Sequence, residues 1–262
     1  MTKIKDATRK EKFELVETRD YQVVKANDLI QKSRFQLSAQ EQKIVLYLIS
    51  KIKPGDKEFQ GYSFEIMEFC HLCGIETDQG RTYKHLKNTL QKLRDKSFWI
   101  KQDNGSETLF AWIDGVTISP KSGTVSIRLN ENIKPYLLEL QQKFTHYSLI
   151  YILGMRSQYA IRLYELLKSY EFRGRWQVEI EELKNMLSAE NYKLFGNFKQ
   201  KVLDIALREI ENLTDIDVSY EIIKKGRKFA EIEFIIKQKE SDAQTAAWLE
   251  RLHRLEGYES RL

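Results

Sequence analysis

Apolar positions along this chain fall into blocks that repeat at helical spacing and then switch to a period of two. After Ser38, the residues Ile44, Val45, Leu48, Ile49 and Ile52 recur every three or four positions, which predicts an amphipathic helix closed by Pro54 and Gly55. Glu41 stands three residues after Ser38, the spacing of a reciprocal N-terminal cap. Upstream, YQVVKANDLIQKSRFQL reads as a short strand followed by a turn or short helix. Tyr62 to Cys73 reads as a second helix with Gly74 as its stop. Thr82 to Ser97 reads as a third, with Tyr83, Leu86, Leu90 and Leu93 inward. Phe98 to Lys101, Leu109 to Ile118 and Val125 to Leu129 then look like strands, with Asn104-Gly105 and Ser122-Gly123 as hairpin signals.

The order then restarts. Ile133 to Tyr151 is expected to be a mostly helical connection, Leu153 to Tyr170 a helix, and Trp176 to Leu187 a strand and a short helix. A longer helix follows, starting after Gly196 and Asn197, with Leu203, Ala206, Leu207, Ile210 and Leu213 as its apolar stripe. Beyond it Ile216, Val218, Tyr220 and Ile222 share one parity, and Ala230, Ile232, Phe234 and Ile236 another, which predicts a hairpin. Tyr47 and Tyr164, Leu90 and Leu207, and Leu93 and Ile210 are each 117 positions apart. The pattern therefore predicts an α+β protein of two tandem winged-helix domains related by an internal pseudo-repeat. Its expected divisions are a flexible arm over 1–20, a first domain over 21–132, a linking helix and second domain over 133–238, and a charged helical tail over 239–262.

Composition narrows the class. At 262 residues, with 42% hydrophobic and 31% charged residues, the chain can bury two cores, and its three prolines argue against extended linkers. A charged amino terminus and the lack of a long apolar run predict a cytoplasmic protein with no membrane partner. The net charge of +5 is modest, so any role for basic side chains depends on where they are placed.

Placement is distinctive at two sites. Asn197, Lys201, Asp204 and Arg208, with Lys199 and Gln200 beside them, lie opposite the apolar stripe of the long helix, where they can meet base edges and phosphates. The hairpin turn then carries Lys224, Lys225, Arg227 and Lys228 around Gly226, a cationic tip suited to phosphate contact. In the first half, Arg81, Lys84, Asn88 and Gln91 occupy the matching outer face, with Lys92 beside them, but the hairpin that follows is much less basic. Tyr47, Tyr164 and Tyr220 fall on core-facing positions, so base stacking is not assigned to them.

Catalytic chemistry finds little footing. Cys70 and Cys73 form a CxxC, but a structural zinc needs a second ligand pair that His71, His85, His146 and His253 do not evidently supply. Ile66, Cys70 and Cys73 share one helical face, which predicts buried thiols. The chain has no phosphate-binding GxxxxGK[ST] loop and no His-x-His for metal-assisted strand cleavage, so neither an enzymatic activity nor a cofactor is expected.

The segments VVKANDLIQKSRFQLSAQEQKIVLYLI (23–49), RLYELLKSY (162–170) and VLDIALREIENLTDIDVSYEIIKKGRKFAEIEFIIK (202–237) resemble the Rep_3 (RepB-type) family of plasmid replication initiators. The resemblance spans most of the chain, roughly Val23 to Lys237. It implies two winged-helix domains, dimerisation largely through the first, and binding of the second to directly repeated origin sites in double-stranded DNA. It further implies a monomer active in initiation, a homodimer that represses its own promoter, and recruitment of a host initiator and replicative helicase. On matching positions it makes Asn197 to Arg208 the main reading helix, Lys224 to Lys228 its wing tip, and Arg81 to Lys92 the reading helix of the first domain. The alternatives are a phage or plasmid repressor built from the same two modules, which would prefer inverted half-sites, and an interaction protein whose wings bind protein.

Overall fold

A computed structural model describes residues 22–53, 55–75, 81–102, 104–226 and 228–240. The expected amino-terminal arm and the helix expected over Ala246 to Leu255 lie outside the described residues. In chain order the first half holds β1 (Gln22–Ala26), α1 (Asn27–Gln31), β2 (Ser33–Arg34), α2 (Ala39–Ile49), β3 (Tyr62–Glu65), α3 (Ile66–Cys73) and α4 (Thr82–Arg94). It continues through β4 (Ser97–Lys101), β5 (Glu107–Ala111), β6 (Ile113–Ser119) and β7 (Thr124–Leu129). After a 3-10 turn (Glu131–Tyr136) come β8 (Phe144–Ser148), α5 (Ile150–Leu153), α6 (Gln158–Tyr170), β9 (Arg175–Glu179) and α7 (Ile180–Met186). The long helix α8 covers 195–213, and β10 (Ile216–Lys225) and β11 (Lys228–Gln238) close the fold.

The pseudo-repeat is a repeat of topology. In the first half β3, the strand before the short helix, pairs with the second wing strand to give the order β3-β7-β6; in the second half β9 does the same in β9-β11-β10. Both halves are winged helices, and the first carries an additional hairpin, β4–β5, between α4 and its wing. One continuous apolar core runs from Val23 to Ile236.

Three sequence expectations need correction. Tyr62 to Cys73 is not one helix: Tyr62–Glu65 is a strand paired with β7, and the helix begins at Ile66, where the Glu65 side chain accepts from the Met67 and Glu68 amides. Alternation over four residues is too short to distinguish from helical spacing until a partner strand is present. The connection after residue 132 is not a linking helix either. It is a 3-10 turn and then β8, which pairs along its length with β1, so the chain returns to the amino-terminal strand before entering the second half. Tyr83, expected to point inward, is 37% exposed, and α4 buries Thr82, Leu86, Leu90 and Leu93.

Buried polar groups join the halves. Lys25 on β1 donates to Glu165 on α6 at 2.6 Å, both side chains almost fully buried, and Tyr147 donates to the same carboxylate oxygen at 2.6 Å. Burial lowers the Lys25 pKa, against the pull of Glu165. Arg162 on α6 donates to the carbonyls of Ile30 (2.6 Å), Ser33 (3.0 Å) and Met186 (3.2 Å) and lies 4.6 Å from the centre of the Phe35 ring. Carbonyls at α1, β2 and α7 would otherwise be left with fewer partners in the core. Lys43 on α2 reaches across to the Leu153 carbonyl at 2.7 Å, and burial pushes its pKa down to about 8.

Candidate nucleic-acid interface

Helix α8 starts one turn earlier than its sequence implies, with Leu194 as its N-cap and Phe195 as its first residue, so Gly196 and Asn197 lie within the first turn. Its middle, Lys199–Leu203, is a π turn between α-helical Phe195–Phe198 and Asp204–Leu213. A π turn accommodates about one extra residue per turn. Here it turns both Val202 and Leu203 into the core and continues the buried stripe upstream through Phe198. Ala206, Ile210 and Leu213 complete the stripe, and Leu207 is only half-buried. The extra residue displaces Asn197 by roughly 100° from the column that unbroken α-helical spacing would give it with Asp204 and Arg208.

The outer face remains polar. Asn197, Gln200, Lys201 and Arg208 lie on it, away from the buried stripe. Lys199 and Asp204 are half-exposed and bound to each other at 2.9 Å, an ion pair that raises the Lys199 pKa with help from Tyr220. These two side chains present a nearly neutral patch between cationic neighbours, where the sequence implied a separate cation and a separate carboxylate.

Two anchors on α6 fix the pose of α8. Glu209, an acidic residue beside Ile210 on the buried side, accepts from the backbone amides of Arg156 (3.1 Å) and Ser157 (3.1 Å), which open α6. Just past the end of α8, Asp215 accepts from Tyr164 at 2.8 Å and from Lys168 at 2.9 Å. Burial beside the Asp215 carboxylate pushes the Tyr164 hydroxyl pKa well up, so it stays a donor. Tyr47 and Tyr164 are buried and Tyr220 half-buried, as their positions in the pattern predict.

The hairpin β10–β11 returns along α8, so its tip meets the start of the helix. Phe195 and Phe229 make that junction, with ring centroids 4.7 Å apart. Lys225 and Lys228 are the last paired residues, and Gly226 adopts a φ of +66°, a left-handed conformation that favours glycine. Lys224 lies 5.0 Å from the centre of the Phe229 ring, and Lys225 is paired with Glu231, which raises the lysine pKa. Arg227 lies outside the described residues; Lys228 is placed by its strand pairing alone. Phe229 is the residue that sequence reasoning missed. Its signal is an aromatic on the parity opposite to Ala230, Ile232, Phe234 and Ile236.

In the first half Arg81, Lys84, Asn88 and Gln91 line the outer face of α4, Arg81 at its N-cap position. The Pro120–Gly123 turn of the wing β6–β7 holds one cation, Lys121, and β7 carries Arg128. Cys70 and Cys73 are fully buried on α3, and burial pushes the Cys70 thiol up to about 12 and the Cys73 thiol higher. Among the described residues no helix is long and apolar enough to cross a membrane.

Comparison with known proteins bears on both halves. The family model described as "Initiator Replication protein, WH1" matches residues 22–168, and "Initiator Rep protein, WH2" matches residues 179–236. The chain belongs to the Rep3 family of plasmid replication initiators. The PI protein of Escherichia coli is 30% identical over 141 residues, covering 47% of this chain and 46% of that protein. A probable replication protein of Bifidobacterium longum (strain NCC 2705) is 25% identical over 188 residues, covering 70% and 62% respectively. The matched segment thus spans about half the length of the first relative. Among solved structures, a Pi initiator protein in complex with iteron DNA superposes with a TM-score of 0.67 at 22% identity, covering 85% of this chain and 99% of that one. That likeness establishes the shared tandem winged-helix fold. The first family model extends to residue 168, so it includes β8 and most of α6, which sequence reasoning placed with the second domain.

Proposed function

We propose that this protein is a sequence-specific, double-stranded-DNA-binding initiator that recognises directly repeated origin sites through α8 and its wing. The observation that carries the reading is the joining of the reading-helix start and the cationic wing tip by the Phe195–Phe229 contact, which makes one surface of two elements. Arg208, Lys201, Gln200 and Asn197 discriminate bases in a major groove, while Lys224, Lys225, Arg227 and Lys228 hold the flanking phosphates. The Lys199–Asp204 pair tunes the helix face by opening toward DNA or staying closed, according to the base presented. Helix α4, with Arg81, Lys84, Asn88 and Gln91, makes the auxiliary contact about one helical turn away. Membership in an initiator family and the fold shared with a protein solved on iteron DNA support this reading.

Dimerisation belongs to the first half. There Trp99 and Leu109 face each other across the additional hairpin, 49% and 51% exposed, and β5 pairs on one edge only among the described residues. The monomer initiates on direct repeats, the dimer represses its own promoter, and a host initiator and replicative helicase are recruited in the cytoplasm. The protein has no catalytic role of its own in this scheme.

The test is a fluorescence-anisotropy titration with duplexes from the DNA flanking its gene, carrying single, directly repeated or inverted copies, over a salt series. Tight binding to each direct repeat that weakens steeply with salt is the expected result. Binding confined to the inverted copy would make the protein a repressor, and a lack of binding to any duplex would overturn the reading.

A further inference from the structure

The junction between α8 and its wing is more apolar than a surface that only holds phosphates requires. Leu194, at the N-cap of α8, is 70% exposed, and Phe229, on the wing, is 45% exposed. The Phe229 ring is held in place, with the Phe195 ring against it and Lys224 over it. Lys193 adjoins Leu194 in the chain, Lys199 and Lys201 follow on α8, and Lys224 and Lys225 precede the turn of the wing. The carboxylates among them, Asp204 and Glu231, are already paired with Lys199 and Lys225. An apolar island inside a cationic rim fits a partner with anions outside and a small apolar group between them. Duplex DNA has that form where a thymine methyl projects into the major groove between two phosphate backbones.

We infer that Leu194 and Phe229 form a thymine-reading step, packing on the C5-methyl group of a thymine at the edge of the site beside the wing. The step adds specificity that the polar face of α8 does not supply, since thymine and uracil present identical hydrogen-bonding groups in the groove. The inference rests on the DNA-binding reading above. An acidic protein segment would also suit the cationic rim, but Leu194 caps the same helix that carries Gln200, Lys201 and Arg208 on its outer face, which favours DNA.

The probe is the duplex that the full-length protein selects from a random pool, resynthesised with each thymine in turn replaced by uracil. At one or two positions next to the wing, loss of the methyl group should weaken wild-type binding about four-fold. Leu194→Ser and Phe229→Ser should bind the thymine and uracil duplexes alike, and Phe229→Leu should retain most of the preference. Thermal unfolding of each variant, followed by circular dichroism, shows whether the fold is kept; if Phe229→Ser does not fold, the comparison rests on Leu194→Ser at its exposed position. Tight, salt-dependent binding by wild type with uracil tolerated everywhere overturns this inference and leaves the DNA reading standing. A thymine preference that persists undiminished in folded Leu194→Ser assigns the methyl to other residues and overturns it too. Selection of no duplex at all overturns both readings and leaves the cationic rim to an acidic protein segment.

Discussion

Each half of the molecule fastens the helix before its wing, α4 or α8, to the start of its first long helix through one carboxylate, but the carboxylate sits on opposite partners. In the first half it is Glu41 on α2, which accepts from the Ser38 amide at 2.7 Å and from Lys96, just beyond α4, at 2.6 Å. In the second half it is Glu209 on α8 itself, which accepts from the Arg156 and Ser157 amides at the start of α6. Both arrangements satisfy amides that a helix N-terminus leaves unpaired, and both bring negative charge to that end. The first uses a flexible lysine at the end of α4. The second bonds α8 directly to two backbone amides, and so holds its helix more firmly. The halves also differ at their wings: the first has Lys121 alone in its turn, and the second has a cluster of cations. The better-anchored helix is the one with the basic wing, which is consistent with a division between a main reader and an auxiliary contact.

The largest expected effect lies where the halves meet. Glu165→Ala leaves Lys25 buried without its partner and should cost about 3–5 kcal/mol in urea unfolding. Replacing both, Lys25→Met with Glu165→Gln, which keeps an acceptor for Tyr147, should recover much of that loss; an equal loss in the double variant would mean that packing, not charge, governs the contact. Glu209→Ala should cost about 1–3 kcal/mol, because charge-assisted bonds to two amides are lost, and Glu41→Ala about 1 kcal/mol. Equal costs at the two positions would erase the contrast between the anchors.

On DNA, Arg208→Ala should lose about 1–3 kcal/mol at one base pair of the selected site, whereas Gln91→Ala in the first half should alter sequence preference little. A binding matrix measured for each variant decides it, and an unchanged matrix for Arg208→Ala would remove that side chain from base reading. Lys224→Ala should weaken all sequences alike and reduce the slope of log affinity against log salt by about 1, while Lys121→Ala should leave the slope unchanged. A separate effect concerns pH. Lys43 has a folded pKa of about 8, against 10.5 for an unperturbed lysine, so between those values the unfolded chain binds the extra proton. Stability attributable to Lys43 therefore rises as pH increases from about 8, and Lys43→Met should remove that rise from the melting temperature measured between about pH 8 and 10.

Much of this was legible in the residues. Ser38 and Glu41 form the capping box that their spacing announces, Gly74 ends α3 in the left-handed conformation, and the wing strands run as their parity requires. The outward set Gln200, Lys201 and Arg208 lies off the buried stripe, as its spacing implies. What could not be read depended on partners remote in sequence. Tyr62–Glu65 is a strand because β7 is beside it, and part of the segment expected to be a linking helix is a strand because β1 is. Lys199 and Asp204 look like two contacts in sequence and form one ion pair in space.

The order of helices and hairpins, their duplication and the polarity of their faces were set locally, because periodicity, caps and turn glycines act over a few residues. The π turn in α8, which lets Val202 and Leu203 both reach the core, came from the assembled fold. So did the closing of the start of α6 by Glu209, and the meeting of Phe229 with Phe195. Each depends on which surfaces pack together, and packing density, not local propensity, selects among conformations that the backbone finds nearly equal in energy.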